Sequence, residues 1–167
     1  MDVGIENTNF ETEASMMTPS LLIRRLHQIQ QSLFCEEAVK FDVTLAQMNV
    51  LSAIARQTGR DQSSIAEEIG ADKATLASVL TRLEAASLIR RTISKADQRQ
   101  KLLYLTAKGK RLVDKMQEPL LRANARTLAP LTPLQRAQFL SLLAALVNGG
   151  NDNARTTLRL PSNTASA

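Results

Sequence analysis

The sequence predicts a mainly α-helical chain with one small β-hairpin, and three observations predict it. Hydrophobic residues make up 44% of the 167 but aromatic residues only 3%, so the apolar positions are mostly Leu, Ala, Ile and Val, a composition of packed helices rather than of an aromatic-rich β-sandwich. Apolar residues recur at steps of three and four over most of the chain. The exception is LIRRTISKADQRQKLLYLT, two short β-branched and apolar strings around a polar, charged loop.

Taken in order, residues 1–17 carry Asp2, Glu6, Glu11 and Glu13 without a base and show little hydrophobic pattern, so a tail is expected there. Thr18-Pro19 starts the first helix, with Leu22, Leu26, Ile29 and Leu33 along one face and an end near Val39. Thr44 caps a second helix, TLAQMNVLSAIARQ, whose Leu45, Met48, Leu51 and Ile54 form a buried stripe that Ala55 widens. Asp61 caps a short helix that Gly70 ends in a left-handed conformation. Asp72 then caps the next, with Leu76, Val79, Leu80 and Leu83 buried. This is helix, tight turn, helix. LIRRTI and KLLYLT follow as a two-stranded hairpin. Thr106 caps a long helix toward Leu128, kinked at Pro119, and Thr132 caps the last, TPLQRAQFLSLLAALVN. No internal repeat is evident, and a second tail runs from Gly149 to Ala167.

A single domain over residues 18–148 is therefore expected. Its centre, about 44–106, holds the helix-turn-helix and hairpin. Its ends, about 18–39 and 107–148, are long apolar-striped helices whose natural partner is a second copy.

The charge of this domain is uneven. From Asp72 to Lys115 there are eleven Lys/Arg against four Asp/Glu, a block of +7 in a chain whose net charge is +5. Such segregation suggests a polyanion partner. One Cys and one His cannot build an ordinary His/Cys metal site or an internal disulfide, and no paired catalytic motif is present. No metal, cofactor or catalytic residue is therefore expected, and an enzyme is disfavoured. No apolar run approaches the roughly 18–20 residues that span a bilayer, and the N-terminus is unlike a signal peptide. A cytoplasmic protein without a membrane partner is expected. Cys35 would allow an oxidation sensor, but Glu36 and Glu37 beside it have the wrong sign to activate a thiolate, so it reads as a small packed residue.

A helix-turn-helix followed by a basic hairpin has a physical logic. The major groove of double-stranded DNA admits one helix with short polar residues at the base edges, while flanking cations neutralise phosphates. A hairpin beside it can send a cation into the adjoining minor groove. Lys95, Asp97, Arg99 and Lys101 fall at the hairpin tip. Alone, such a tip is a solvated turn; directly after a helix-turn-helix, Arg99 reads as the probe.

The stretches TLAQMNVLSAI, SSIAEEIGADKATLASVLTRLEAASLIRR and ADQRQKLLYLTAKGKRL, in that order and including Asp97 and Arg99, resemble the MarR (multiple antibiotic resistance regulator) family of winged helix-turn-helix transcription factors. The resemblance covers about residues 20–147. It implies a homodimeric regulator, expected to be a repressor, whose first and last two helices interlock above two DNA-binding lobes on a pseudo-palindromic operator. By that resemblance Lys73, Thr75, Ser78, Thr81 and Arg82 lie on the recognition helix, with Lys95 and Arg99 on the wing. Asp97 would brace the wing by pairing with an arginine, Arg82 being a candidate. Many such regulators are released by small aromatic acids, and Ser20, Arg24, His27 and Gln31, opposite the first helix's apolar stripe, form a face that would hold a carboxylate. A ligand-independent architectural DNA binder is the alternative. The chain departs from the family pattern at Ser87, where the family usually has glycine before the first wing strand, leaving open the left-handed turn that glycine permits.

Overall fold

The computed structural model describes residues 18–153 together with Leu158. The elements are α1 (Pro19–Glu37), α2 (Leu45–Arg56), β1 (Arg60–Asp61), α3 (Gln62–Ile69), α4 (Lys73–Ala85), β2 (Ile89–Ile93), β3 (Lys101–Leu105), α5 (Ala107–Thr127), α6 (Pro133–Gly150) and a 3-10 turn (Asn151–Asn153). Helix starts fall where the sequence places caps. Thr44 and Gln47 exchange side-chain to backbone bonds of 2.8 and 3.2 Å, and Thr132 and Gln135 form the same box at the start of α6. Asp61, Asp72 and Thr106 each accept from an amide in the first turn that follows, an interaction worth about 1 kcal/mol per cap.

The core sits where the lobe meets the long helices. Met48, Leu51 and Ile54 of α2, Ile65 of α3, Leu76, Leu80 and Leu83 of α4, and Leu103 of β3 are fully buried with Phe34 of α1 and Met116 of α5. Removing one such side chain costs about 2–5 kcal/mol. Val50 and Ala53 widen the α2 stripe; Ala55, expected there, is exposed. At 100° per residue Ala55 lies on the same arc, between Leu51 and Met48, but it falls in the last turn of α2, where it lines an open cleft with Thr58 and Val113.

Three further expectations are revised. The hairpin belongs to a three-stranded antiparallel sheet of order β1-β3-β2, with Arg60 opposite Leu103 and Arg91 opposite Leu103 on the other side. Two-residue β1 is too short to show alternation. Cys35 is exposed rather than packed, because the adjoining Phe34 takes the inward direction. Helix α6 runs two residues past the expected boundary, to Gly150, and the 3-10 turn follows. The tails expected at 1–17 and over the rest of 149–167 lie outside the described residues, Leu158 excepted. Pro119 is buried within α5, which continues past it to Thr127.

No residue of helix α6 is buried among the described residues, and Leu134, Leu140, Leu142 and Leu146 are each more than half exposed. Leu22 and Ile29 of α1 are exposed as well. By contrast α1 packs along α5. Glu37 accepts from Arg122 (2.7 Å) and Arg126 (3.0 Å), and Glu36 from Arg126 (2.7 Å). These hydrogen bonds, Arg122 first, hold the Glu37 carboxyl below its ordinary range.

Helix α4 ends in a Schellman motif: Leu88 N donates to Leu83 O and Ser87 N to Glu84 O, both at 2.9 Å. Ser87 supplies the left-handed residue, with φ 58°, so the turn survives the missing glycine. The three carbonyls beyond the helix are all taken by the start of α5. Lys108 Nζ donates to Ala86 O (2.8 Å), Thr106 Oγ1 to Ser87 O (2.7 Å) and Thr106 N to Leu88 O (3.0 Å). Gly109 packs so closely that a Cβ there would lie 2.0 Å from Leu88 O. We expect opposite effects at this junction in denaturant unfolding. Gly109→Ala should destabilise by about 3 kcal/mol through the clash, whereas Ser87→Gly should stabilise by up to about 1 kcal/mol through relief of the left-handed serine.

Candidate nucleic-acid interface

Helices α3 and α4 meet at Gly70, which has φ 64° and so ends α3 without steric cost. Because α4 turns Leu76, Leu80 and Leu83 inward, its other faces are fixed outward. Lys73, Thr75, Ser78, Thr81 and Arg82 are all exposed, and the structure brings these five sequence-predicted residues onto one short helix. Their bonding capacity differs. The Thr75 hydroxyl donates to Asp72 Oδ2 (2.6 Å), which leaves it mainly as an acceptor, whereas the Thr81 hydroxyl donates to Ala77 O (2.9 Å) and accepts from Arg91 Nη2 (3.5 Å), with one lone pair left. Lys73, Ser78 and Arg82 form no side-chain hydrogen bond or ion pair with the described residues. They are unspent donors.

The wing tip is built by its own polar atoms. Ser94 N donates to Gln100 O (2.9 Å), closing the loop. Ser94 Oγ, in a nearly buried residue, accepts from Ala96 N (3.2 Å) and Asp97 N (3.3 Å). Asp97 Oδ1 accepts from Arg99 N (2.9 Å), and its carbonyl accepts from Gln100 N (3.0 Å). The expected pairing of Asp97 with Arg82 is absent among the described residues, because the carboxylate is engaged in a local Asx turn. Ser94 was not singled out in the sequence, although Ser three residues before Asp in a turn-forming run carries the signal. Lys95 and Arg99 remain exposed at the tip with no side-chain partner among the described residues.

Not every cation of the +7 block is available. Arg90 stacks over the Tyr104 ring at 4.5 Å, and Arg91 Nε lies 3.0 Å from Glu84 Oε2, tying β2 back to α4. Neither partner is signalled in the sequence, since Glu84 and Tyr104 stand on elements other than β2. Behind α3, Glu68 holds Arg56 (2.7 Å) and Arg60, and Arg60 also donates to Ser64 O (2.7 Å), fixing β1 to the lobe. Burial pushes the Glu68 carboxyl up, but the hydrogen bonds from Arg56 and Arg60 outweigh it and leave it below its ordinary range.

On α1, Ser20, Arg24, His27 and Gln31 are exposed together. Gln31 and His27 are joined at 2.9 Å, Ser20 touches Thr18 at 3.2 Å, and Arg24 has no partner among the described residues. The shallow cleft along this helix is lined by the neighbouring face instead, by Arg25, Gln28, Ile29, Ser32 and Leu33.

A family model described as the MarR family matches residues 43–101. The transcriptional regulator HosA of Escherichia coli is 35% identical over 95 residues, which make up 54% of this chain and 70% of HosA. The transcriptional regulator PcaV of Streptomyces coelicolor, solved in complex with its natural ligand, superposes with a TM-score of 0.75 at 31% identity, covering 81% of this chain and 95% of PcaV. BpsR of Bordetella bronchiseptica, whose DNA binding is regulated by 6-hydroxynicotinic acid, superposes with a TM-score of 0.74 at 28% identity over 77% of this chain and 92% of BpsR.

The Asx turn generates its own test. Asp97→Ala should speed hydrogen exchange at the Arg99 amide, and Asp97→Asn, which keeps an acceptor oxygen, should preserve protection. Loss of protection in both would mean that charge, not the turn, orders the tip.

Proposed function

The chain belongs to the MarR family of transcriptional regulators, and from this we propose that it is a homodimeric repressor that reads operator DNA with α4 and the wing and is released by a small aromatic acid. The observation that carries the reading is the set of cations and one hydroxyl left without partners among the described residues on two adjoining elements. Lys73, Ser78 and Arg82 stand on α4, and Lys95 and Arg99 at the wing tip, while neighbouring Arg90 and Arg91 are spent on the protein itself. Phosphates and base edges are the partners that such donors fit. In this reading Thr75 and Thr81 offer acceptors to base edges, Arg99 enters the minor groove, and Asp97 keeps the tip in shape without touching DNA.

A dimer is supported by α6, whose leucines stay exposed among the described residues, and a second copy applied symmetrically would present two lobes to a pseudo-palindromic site. Release by an aromatic acid is supported by BpsR, whose DNA binding 6-hydroxynicotinic acid regulates, and Arg24 beside His27, without a partner among the described residues, gives a carboxylate a bidentate partner on α1.

Titration of a duplex selected from random sequence, at several salt concentrations, tests the reading. Affinity should fall steeply with salt, and Arg99→Ala should reduce the logarithmic slope by up to about 0.9, the loss of one phosphate-proximal cation. Its folding should match the wild type. Salt-independent binding, or unchanged binding by Arg99→Ala, would return the wing tip to an ordinary solvated turn.

A further inference from the structure

Past the end of α6, Leu158 comes back onto the helix-turn-helix. Asn151, which follows α6, accepts from Leu158 N at Oδ1 (3.0 Å) and donates from Nδ2 to Leu158 O (3.2 Å). One side-chain amide thus satisfies both backbone groups of a residue seven positions on, because asparagine presents a donor and an acceptor side by side. Held in this way, the half-buried Leu158 lays its side chain on Gly70. A Cβ at Gly70 would stand 3.2 Å from Leu158 Cβ and 3.6 Å from Cδ1. Gly70 therefore has two reasons to be glycine, its φ of 64° and the leucine seated on it.

The place matters because of what lies on either side. Leu158 lines a cleft of about 320 Å³ that has Ile69 and Gly70 of the lobe on one wall and Leu146, Val147 and Gly150 of α6 on the other. It joins the turn between α3 and α4 to the helix that carries the proposed dimer. Gly70 precedes the N-terminus of α4 and Ser87 follows its C-terminus, so this tie and the α5 junction grip opposite ends of one helix. The reading face stays open. Lys73, Thr75, Ser78, Thr81 and Arg82 are exposed, and none of them lines the cleft. A segment that shut DNA out would cover them.

We propose that Asn151 and Leu158 are positioning residues for DNA reading: they strap the turn of the helix-turn-helix to the end of α6, so that α4 is presented at a fixed distance and angle from the long helices. The role rests on the repressor reading above. Its physical basis is preorganisation. A lobe free to swing binds DNA in that fraction of molecules in which α4 is correctly placed, and the apparent affinity falls by the same fraction. A docked strap keeps the fraction high, and the ordering cost is met before DNA arrives.

Amide hydrogen exchange of the full chain without DNA, together with titration of the selected duplex at several salt concentrations, tests this with Asn151→Ala, Leu158→Ala and Leu158→Met. None of the three changes the charge. We expect the two alanine variants to speed exchange at Ala71 N, which donates to Ala66 O (3.0 Å) beside Gly70. They should also weaken duplex binding about fivefold, as a competent fraction of about one in five would. The salt slope should stay at its wild-type value, because no cation is removed, and Leu158→Met, which refills the space, should restore both readouts. Wild-type exchange at Ala71 in both alanine variants would overturn the proposal, as would faster exchange with wild-type affinity. So would tighter binding, which would make the strap an inhibitor, and a lowered salt slope, which would make the segment a phosphate contact. Failure of the wild type to bind any duplex would overturn the repressor reading and this role with it; the exchange measurement, which needs no DNA, tells that failure from an undocked strap.

Discussion

Three consecutive carbonyls, those of Ala86, Ser87 and Leu88, are claimed by the first turn of α5 through Lys108 and Thr106. A helix end normally leaves its last carbonyls to water or to a cap. Here they are answered by an element that follows the whole wing, so the chain leaves α4, makes the hairpin and returns to the same spot. Both ends of the wing are thereby fixed, and the C-terminus of α4 cannot move independently of α5. Gly109 allows the approach, and Ser87 accepts a left-handed backbone to make it.

What α5 holds, it holds on behalf of the long helices. Phe34 and Met116 share the core, and Glu36 and Glu37 are tied to Arg122 and Arg126. These exposed ion pairs contribute little individually, on the order of 0–1 kcal/mol, but they orient α1 on α5 with charge-assisted hydrogen bonds. The rigid path therefore runs from α1 through α5 to the end of α4. In the proposed dimer, α6 and the outer face of α1 meet their cover in the second copy, and the spacing of two recognition helices becomes a property of the long helices. Under the proposed function, a ligand near α1 acts on DNA by shifting that spacing, and DNA acts back on the ligand by the same factor.

Much of this was legible in the sequence because it is written locally. Caps such as Thr44, Asp61, Asp72 and Thr132, the stripes of α2 and α4, and Gly70 as a stop all depend on residues within a turn or two. What was not legible depends on contacts distant in the chain. β1 exists only because β3 comes back to Arg60 and Asp61, and the partners of Arg90 and Arg91 lie on β3 and α4. Cys35 could not be read as exposed without knowing that its neighbour Phe34 takes the inward direction. The case of Asp97 is different. A local Asx turn was available in the sequence, and the longer-range pairing with Arg82 was preferred to it because an acid among bases suggests an ion pair. For the candidate interface, Lys73, Thr75, Ser78, Thr81 and Arg82 were expected on the outward faces of α4 and are exposed there. Which of them are spent on the protein was not legible, since that is decided by hydroxyl geometry and by neighbours on other elements.

Thr106→Val tests the account at its centre, because valine keeps the volume and removes the hydroxyl that donates to Ser87 O and caps α5. The measurement is affinity for the selected duplex, alongside circular dichroism and sedimentation to confirm a folded chain of unchanged assembly. Helix content and assembly are expected to persist, with about 1–2 kcal/mol lost from stability, while DNA affinity falls by about tenfold or more because α4 is no longer held by α5. Wild-type affinity in a folded Thr106→Val chain would contradict it, and would mean that the lobe presents its recognition helix without help from the long helices.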